Sequence, residues 1–363
     1  MLFDIFRLLL LVCFGLIDLI NLKRFPLFRY FGTKSSTVDE VFSLISDHQS
    51  DGTFADAFGG LGTIGSRFKS QGYSVTTCDV LSFPHAFQVS RIECDRNPSY
   101  KKLKFFLGIK SSEELTGYLN SLSSRDSWFM REYSEKRQFF TIYNASRISA
   151  IWNAIRHWQK LGLLTKKELC VLMASLLNSM DKVANTAGTY YAYLKNFDRK
   201  AKLKFSFEWI QISTEKSKGK GTVYLGDALE QLSDKYFDVL YLDPPYNRRN
   251  YSNYYHLPET LAKLKTIKLK NETKSGVPYR RHEYNENIAA AAGQEYISRL
   301  ISNVEWKYLV FHYSDEGVIP LDNVRSMLRS LGDVEEHSVS ALGYTTKQQA
   351  RSMSQNLFIV SNA

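Results

Sequence analysis

The chain has 363 residues, enough for one large α/β domain with an insertion. Its four cysteines, Cys13, Cys78, Cys94 and Cys170, show no paired spacing, which excludes a disulfide framework and a cysteine zinc site. No metal is expected, and a reducing, cytoplasmic setting is. The formal net charge of +10 suits a phosphate backbone as partner, although charge alone does not choose among basic proteins.

Residues 1–25 open with an apolar run at 8–17, flanked closely by Asp4, Arg7 and Asp18. The run is shorter than the roughly 18–20 residues of a membrane span. A basic start and a small-residue cleavage site are both lacking, so it does not read as a signal peptide. Three readings stay open: an amphipathic helix packed on the domain, a weak membrane anchor, or translated leader. A membrane partner is not expected.

Residues 38–48 have the spacing of a helix leading into a first strand. The stretch Thr53-Phe54-Ala55-Asp56-Ala57-Phe58-Gly59-Gly60-Leu61-Gly62 reads as that strand and a glycine-rich turn into a second helix. Gly60 and Gly62 let the backbone approach a ligand, and the helix start carries positive potential. A second strand, Ser74-Val75-Thr76-Thr77-Cys78-Asp79, ends in an acid roughly 20 residues after the glycines, where such a residue holds ribose hydroxyls. Alone, the pattern fits a dinucleotide as well as S-adenosylmethionine. A helix is expected over 86–92.

From about 97 to 220 helical apolar spacing dominates, and this segment reads as an inserted domain that contacts DNA. Within it, Asn185 and Thr186 are candidates for base choice and Tyr190 for stacking, while Lys195, Lys200, Lys202 and Lys204 are candidates for phosphate contact. The tyrosines fit an aromatic core equally well. The sheet resumes at Thr222-Val223-Tyr224-Leu225-Gly226, and Asp227 after it either meets the cofactor or caps the next helix.

Next comes Phe237-Asp238-Val239-Leu240-Tyr241-Leu242, a buried strand, and then Asp243-Pro244-Pro245-Tyr246 at its carboxyl end, where open α/β sheets place ligands. The prolines remove two donors and stiffen the chain, leaving carbonyls free to accept. A carboxylate, exposed carbonyls and a flat aromatic make a cup for a planar base with an exocyclic amino group. Asp243 and the Pro244 carbonyl would accept the two amino protons and Tyr246 would stack on the base. A nicotinamide enzyme has no use for such a cup, so the two motifs together select S-adenosylmethionine. Another strand is expected at 307–313, a helix at 321–330, and an antiparallel pair at 334–342 and 357–361. His312 reads as core, and His256 as a loop residue near phosphate. Neither is assigned to catalysis, because methylation itself makes the amino group acidic. A basic surface loop is expected over 263–281.

These residues resemble the D12 class of adenine-specific DNA methyltransferases, which includes the Dam methylases. The class's Phe-x-Gly-x-Gly is matched by Phe58, Gly60 and Gly62, and its catalytic motif by Asp243, Pro244, Pro245 and Tyr246. The segment Arg29-Tyr30-Phe31-Gly32-Thr33-Lys34 is similar to the amino-terminal segment that lies along the methionine end of the cofactor, although Gly-Thr-Lys replaces the usual Gly-Ser-Lys or Gly-Gly-Lys. The resemblance thus implies that Tyr30, Gly32 and Lys34 join Asp56, Phe58, Gly60, Gly62, Asp79 and Asp227 around the cofactor. The stretch after the catalytic motif, with Asn247, Arg248, Arg249 and Tyr251, is similar to the loop of restriction-associated members and is expected on DNA.

The resemblance implies a class I S-adenosylmethionine-dependent methyltransferase fold, α/β and Rossmann-like, with seven strands of which one is antiparallel. The catalytic domain would comprise 26–96 and 221–363, with a mostly helical target-recognition domain inserted at 97–220. The implied activity is methylation of a flipped adenine in double-stranded DNA, with an associated restriction endonuclease as a further expected partner. A cytosine amino methylase usually has Ser where Asp243 stands. The alternatives are an RNA base amino-methyltransferase, disfavoured by the long insert, and a silent DNA-binding protein on the same scaffold, disfavoured by the intact motifs.

Overall fold

The computed structural model describes residues 28–212, 219–245, 251–269, 275–277, 293–342 and 352–362. The expectations for residues 1–25 and for Tyr246, Asn247, Arg248 and Arg249 lie outside these, as do residues 270–274 and 278–281 of the basic loop.

Seven strands form one sheet in the order β3-β2-β1-β4-β5-β7-β6. They are β1 (Thr53–Asp56), β2 (Ser74–Asp79), β3 (Gly221–Leu225), β4 (Tyr236–Leu242), β5 (Glu305–Ser314), β6 (Asp333–Leu342) and β7 (Ser352–Ser361). The pairs among β1 to β5 are parallel, whereas β7 runs antiparallel to both β5 and β6. This is the seven-stranded sheet with one reversed strand that was expected. The central strands are apolar on both faces because helices cover both. In β4, for example, Val239, Leu240, Tyr241 and Leu242 are all buried.

On one face, helices Ala228–Leu232, Gly293–Asn303 and Leu321–Arg329 cover Leu240, Leu309, Phe311 and Phe358. The opposite face buries Phe54, Val75, Tyr241 and Val310 beneath helices Val38–Ser46, Thr63–Ser70 and Ser82–Gln88. The expected helix at 86–92 begins earlier than its apolar spacing suggested. Pro84 is tolerated in its first turn, and the segment continues as a π-turn, Val89–Glu93.

The insert adds helices Lys101–Leu107, Ser112–Ser121, Ile142–Lys160 and Lys166–Asp181. The last starts at a capping box in which Thr165 and Glu168 satisfy each other's backbone N–H groups. Its residues Cys170 to Asp181 are all buried, and it packs against Ser82–Gln88. Ile148, Ile151, Trp152 and Leu172 belong to the same apolar core as Phe54 and Val310. Trp152 Nε1 donates to the Leu261 carbonyl at 3.0 Å, beyond the catalytic strand. Among the described residues, the insert's core is continuous with one face of the sheet.

Candidate active site

Parallel pairing brings the carboxyl ends of β1, β2 and β4 together. A cleft open to solvent lies there. Its walls include Tyr30, Gly32, Lys34, Asp56, Phe58, Gly60, Asp79, Asp243, Pro244, Pro245 and Tyr251. The two motifs, far apart in the chain, thus face one space.

The turn after β1 is built on glycine. Gly60 and Gly62 have φ of 49° and 75°, a region that L side chains rarely adopt. A Cβ on Gly60 would sit 3.1 Å from the Tyr30 ring. The Gly62 N–H donates to the Gly59 carbonyl at 2.7 Å, closing the turn. Gly62 departs from expectation: it is not in the cleft wall, and a Cβ there would meet Ile92 at 3.2 Å and Gln88 at 3.3 Å. Its left-handed φ serves the entry into helix Thr63–Ser70. Gln88, buried and unmarked in the sequence, holds the turn from behind. It donates to the Gly60 carbonyl at 2.8 Å and accepts from Thr77 Oγ1 at 2.6 Å.

Asp79 ends β2 with both oxygens engaged: Oδ2 accepts the Gly60 N–H at 3.1 Å and Oδ1 the Leu81 N–H at 2.8 Å. Asp227 caps helix Ala228–Leu232, accepting from Leu229 N at 2.8 Å, and Tyr296 Oη donates to it at 2.6 Å. Its neighbours Gly226, Ala228 and Tyr296 line the cleft, whereas Asp227 itself acts as the cap. Tyr296 comes from a distant helix, and nothing local in the sequence marked it.

Asp243 directly follows β4, with its side chain only 16 % exposed and Oδ1 3.0 Å from Lys34 Nζ. Burial raises the proton affinity of Asp243 above the ordinary carboxylate range, and the Lys34 ammonium opposes that rise. Lys34 Nζ also donates to Gln355 Oε1 on β7 at 3.4 Å. Beside them Asp56 is buried, and burial, then the nearby Asp243, pushes its carboxyl up to about 8. Tyr241, another wall residue, is hydrogen-bonded through its hydroxyl to His312 Nδ1 at 2.7 Å; His312 is buried in the core, as read from sequence. Tyr30 and Tyr251 form an aromatic wall backed by buried Tyr255, with the Tyr30 ring 5.2 Å from Tyr255 and 5.8 Å from Tyr251. Tyr251, expected on DNA, thus stands in the cleft.

The expectations for the insert need correction. Asn185 is fully buried: its Nδ2 donates to the Gln138 and Leu194 carbonyls, each at 2.9 Å, and its Oδ1 accepts from Asp198 N at 3.2 Å. Thr186 and Tyr190 are also buried, gathered with Asp181 around Arg29. Arg29 Nη2 donates to Asp181 Oδ1 at 3.1 Å and to Thr186 Oγ1 at 2.8 Å, and Tyr190 Oη donates to Asp181 Oδ1 at 3.0 Å. An ion pair inside the fold needs such partners, and here it fixes the segment that carries Tyr30 and Lys34. Lys200 is half-buried, donating to the Asp181 carbonyl at 3.2 Å, and burial pulls its ammonium down to about 8. Lys195, Lys202 and Lys204 are exposed. His256 is not on a loop: it starts helix His256–Ala262, buried beside the rings of Tyr133 and Phe139.

Residues 30–308 match the family model described as the D12 class N6 adenine-specific DNA methyltransferase. Over 347 residues, 92 % of the chain, it is 29 % identical to the type II methyltransferase M.FokI of Planomicrobium okeanokoites, of which this covers 52 %. It is 28 % identical to the modification methylase StsI of Streptococcus sanguinis, over 90 % of the chain and 50 % of that protein. With the type II methyltransferase M.NlaIII of Neisseria lactamica it shares 27 % identity, over 84 % of the chain and 88 % of the relative. The chain spans about half the length of the first two relatives it matches and most of the third.

Proposed function

The chain belongs to the D12 class of N6 adenine-specific DNA methyltransferases, and from that premise we propose that it methylates the exocyclic amino group of adenine at a specific site in duplex DNA. The observation that carries this reading is the single cleft in which Asp243-Pro244-Pro245 faces the Gly60 turn and Asp79.

S-adenosylmethionine fits the charges of that cleft. Asp56, Asp79 and Asp243 line it with one lysine, Lys34, already paired with Asp243; a cation beside Asp56 would lower its raised proton affinity, so a cationic ligand is favoured. Asp79 would hold the ribose hydroxyls, the Gly60 turn the backbone approach, and Tyr30, Gly32, Lys34 and Asp56 the methionine end. When bound, the cofactor supplies an electrophilic sulfonium methyl.

The protein's part is positioning and electrostatics. The adenine amino nitrogen is a poor nucleophile because its lone pair is delocalised into the ring. Asp243 and the Pro244 carbonyl would accept its two protons, favouring a pyramidal nitrogen with the lone pair free. Lys34 fixes the carboxylate through Oδ1 and favours its ionised, acceptor form. After transfer the nitrogen is acidic, and a carboxylate whose proton affinity burial has raised is suited to receive the proton.

To reach this cleft the adenine would leave the stack. Exposed Tyr191, stacked on Tyr254 with centroids 5.0 Å apart, takes over from buried Tyr190 as the stacking candidate in the insert. Lys195, Lys202 and Lys204 would meet phosphates, and residues 97–220 would choose the site, with a restriction endonuclease as the associated enzyme. Methylation-aware sequencing of DNA from cells expressing the protein tests this reading. It should find N6-methyladenine within one short motif; a methylated cytosine, or adenine methylated without motif, would refute it.

A further inference from the structure

The far edge of the sheet carries a cluster unrelated to the cleft's motifs. β6 is the edge strand, and Glu335 and His337 stand two residues apart on it, so their side chains share one face. The register aligns Glu335 with Ile359 and Val310, and helix Val38–Ser46 packs on that same face through Val41 and Ile45. His48 follows this helix and reaches the edge, its ring 5.7 Å from that of Tyr308. The Nε2 atoms of His48 and His337 each lie 3.5 Å from the same oxygen, Glu335 Oε2. All three donor atoms fall within 4.8 Å of one another.

These separations suit a metal better than hydrogen bonds. A ring N–H bonded to a carboxylate normally sits at roughly 2.7–2.9 Å. Donors around a tetrahedral ion with bonds of about 2.0–2.1 Å stand roughly 3.3–3.4 Å apart. His337 Nε2 is buried as an atom and makes no hydrogen bond among the described residues. Two imidazoles and one carboxylate are a ligand set suited to zinc and neighbouring divalent transition metals, and solvent can complete the shell.

We propose that His48, Glu335 and His337 form a binding site for a zinc-class divalent cation. Bound there, the ion links the end of helix Val38–Ser46 to the edge strand. Sequence spacing does not reveal the site, because only the tertiary fold brings His48 to the two β6 residues.

The test uses the full chain stripped with chelator, then titrated with Zn²⁺ by calorimetry and with Co²⁺ by visible absorption. One equivalent should bind, with the Co²⁺ spectrum lacking thiolate charge-transfer bands, and the melting temperature should rise on loading. His48→Ala, Glu335→Gln and His337→Ala should each weaken binding by more than the roughly tenfold to hundredfold loss that follows removal of an outer-shell partner. All three positions are partly exposed, so the metal-free variants should melt as the metal-free parent does. Absence of saturable binding, a thiolate spectrum, or affinity undiminished in the three variants would overturn the site.

Discussion

The cleft and the stretch 181–204 of the insert put similar residue types to opposite uses. In the cleft, Asp79, Asp243, Tyr30 and Tyr251 line an open space. In the insert, Asp181, Thr186 and Tyr190 are closed in on one another and on Arg29, and Asn185 is closed in on the Gln138 and Leu194 carbonyls. The second group supports the first, since Arg29 precedes Tyr30 and is bound by Asp181 and Thr186. Substitutions in the cleft should therefore alter chemistry or ligand affinity with little change in stability, and those in the buried cluster should do the reverse.

The sharpest test of this contrast is Asp243→Ala. It removes an acceptor that acts mainly in the transition state, so single-turnover rates should fall roughly a hundredfold or more. Calorimetric affinity for S-adenosylmethionine should change far less; a parallel collapse of both would merge the two roles. Next in size is Asp79→Ala. Loss of charged hydrogen bonds to a ribose should weaken cofactor binding by roughly tenfold to a hundredfold. Unchanged affinity would remove Asp79 from the cofactor's site.

On the insert side, Asn185→Ala leaves three backbone groups without their partner and should lower unfolding free energy by about 1–3 kcal/mol, read in denaturant melts. A shifted methylation motif with unchanged stability would instead return Asn185 to base reading. Lys202→Ala with Lys204→Ala should leave stability and motif alone, and reduce the salt slope of duplex binding by about one unit per lysine. An altered motif with an intact slope would reverse these assignments.

A pH slope probes the cleft's own buried acid. Asp56 has a folded proton affinity raised from 3.8 to about 8, so its contribution to stability is full below the unfolded value and is lost as pH rises through about 8. The ligand-free protein should lose stability across that window, and Asp56→Asn should flatten the loss. Identical pH profiles for the two proteins would show that Asp56 is ionised throughout.

What sequence could reveal divides along the same line. The glycine turn and Asp-Pro-Pro are legible because their backbone chemistry is local: a left-handed turn needs Gly60 and Gly62, and prolines constrain the chain wherever they stand. The alternation of apolar runs likewise marked the strands. The fate of a tyrosine or asparagine in a helical insert depends on what lies across from it. Tyr190 and Tyr191 are neighbours, yet one is buried against Asp181 and the other half-exposed on Tyr254. Gln88 behind the turn and the Lys34–Asp243 pair were hidden for the same reason, as their partners come from remote parts of the chain.

The most direct test of the central claim is methyl transfer in vitro. Purified protein, S-adenosylmethionine carrying a labelled methyl group and genomic duplex DNA are combined, and the DNA is digested and read by nucleoside mass spectrometry. Label is expected in N6-methyladenine with the parent protein, and none above background with Asp243→Ala over the same time. Label in a methylcytosine, label in RNA but not in duplex DNA, or equal label with Asp243→Ala would contradict the claim.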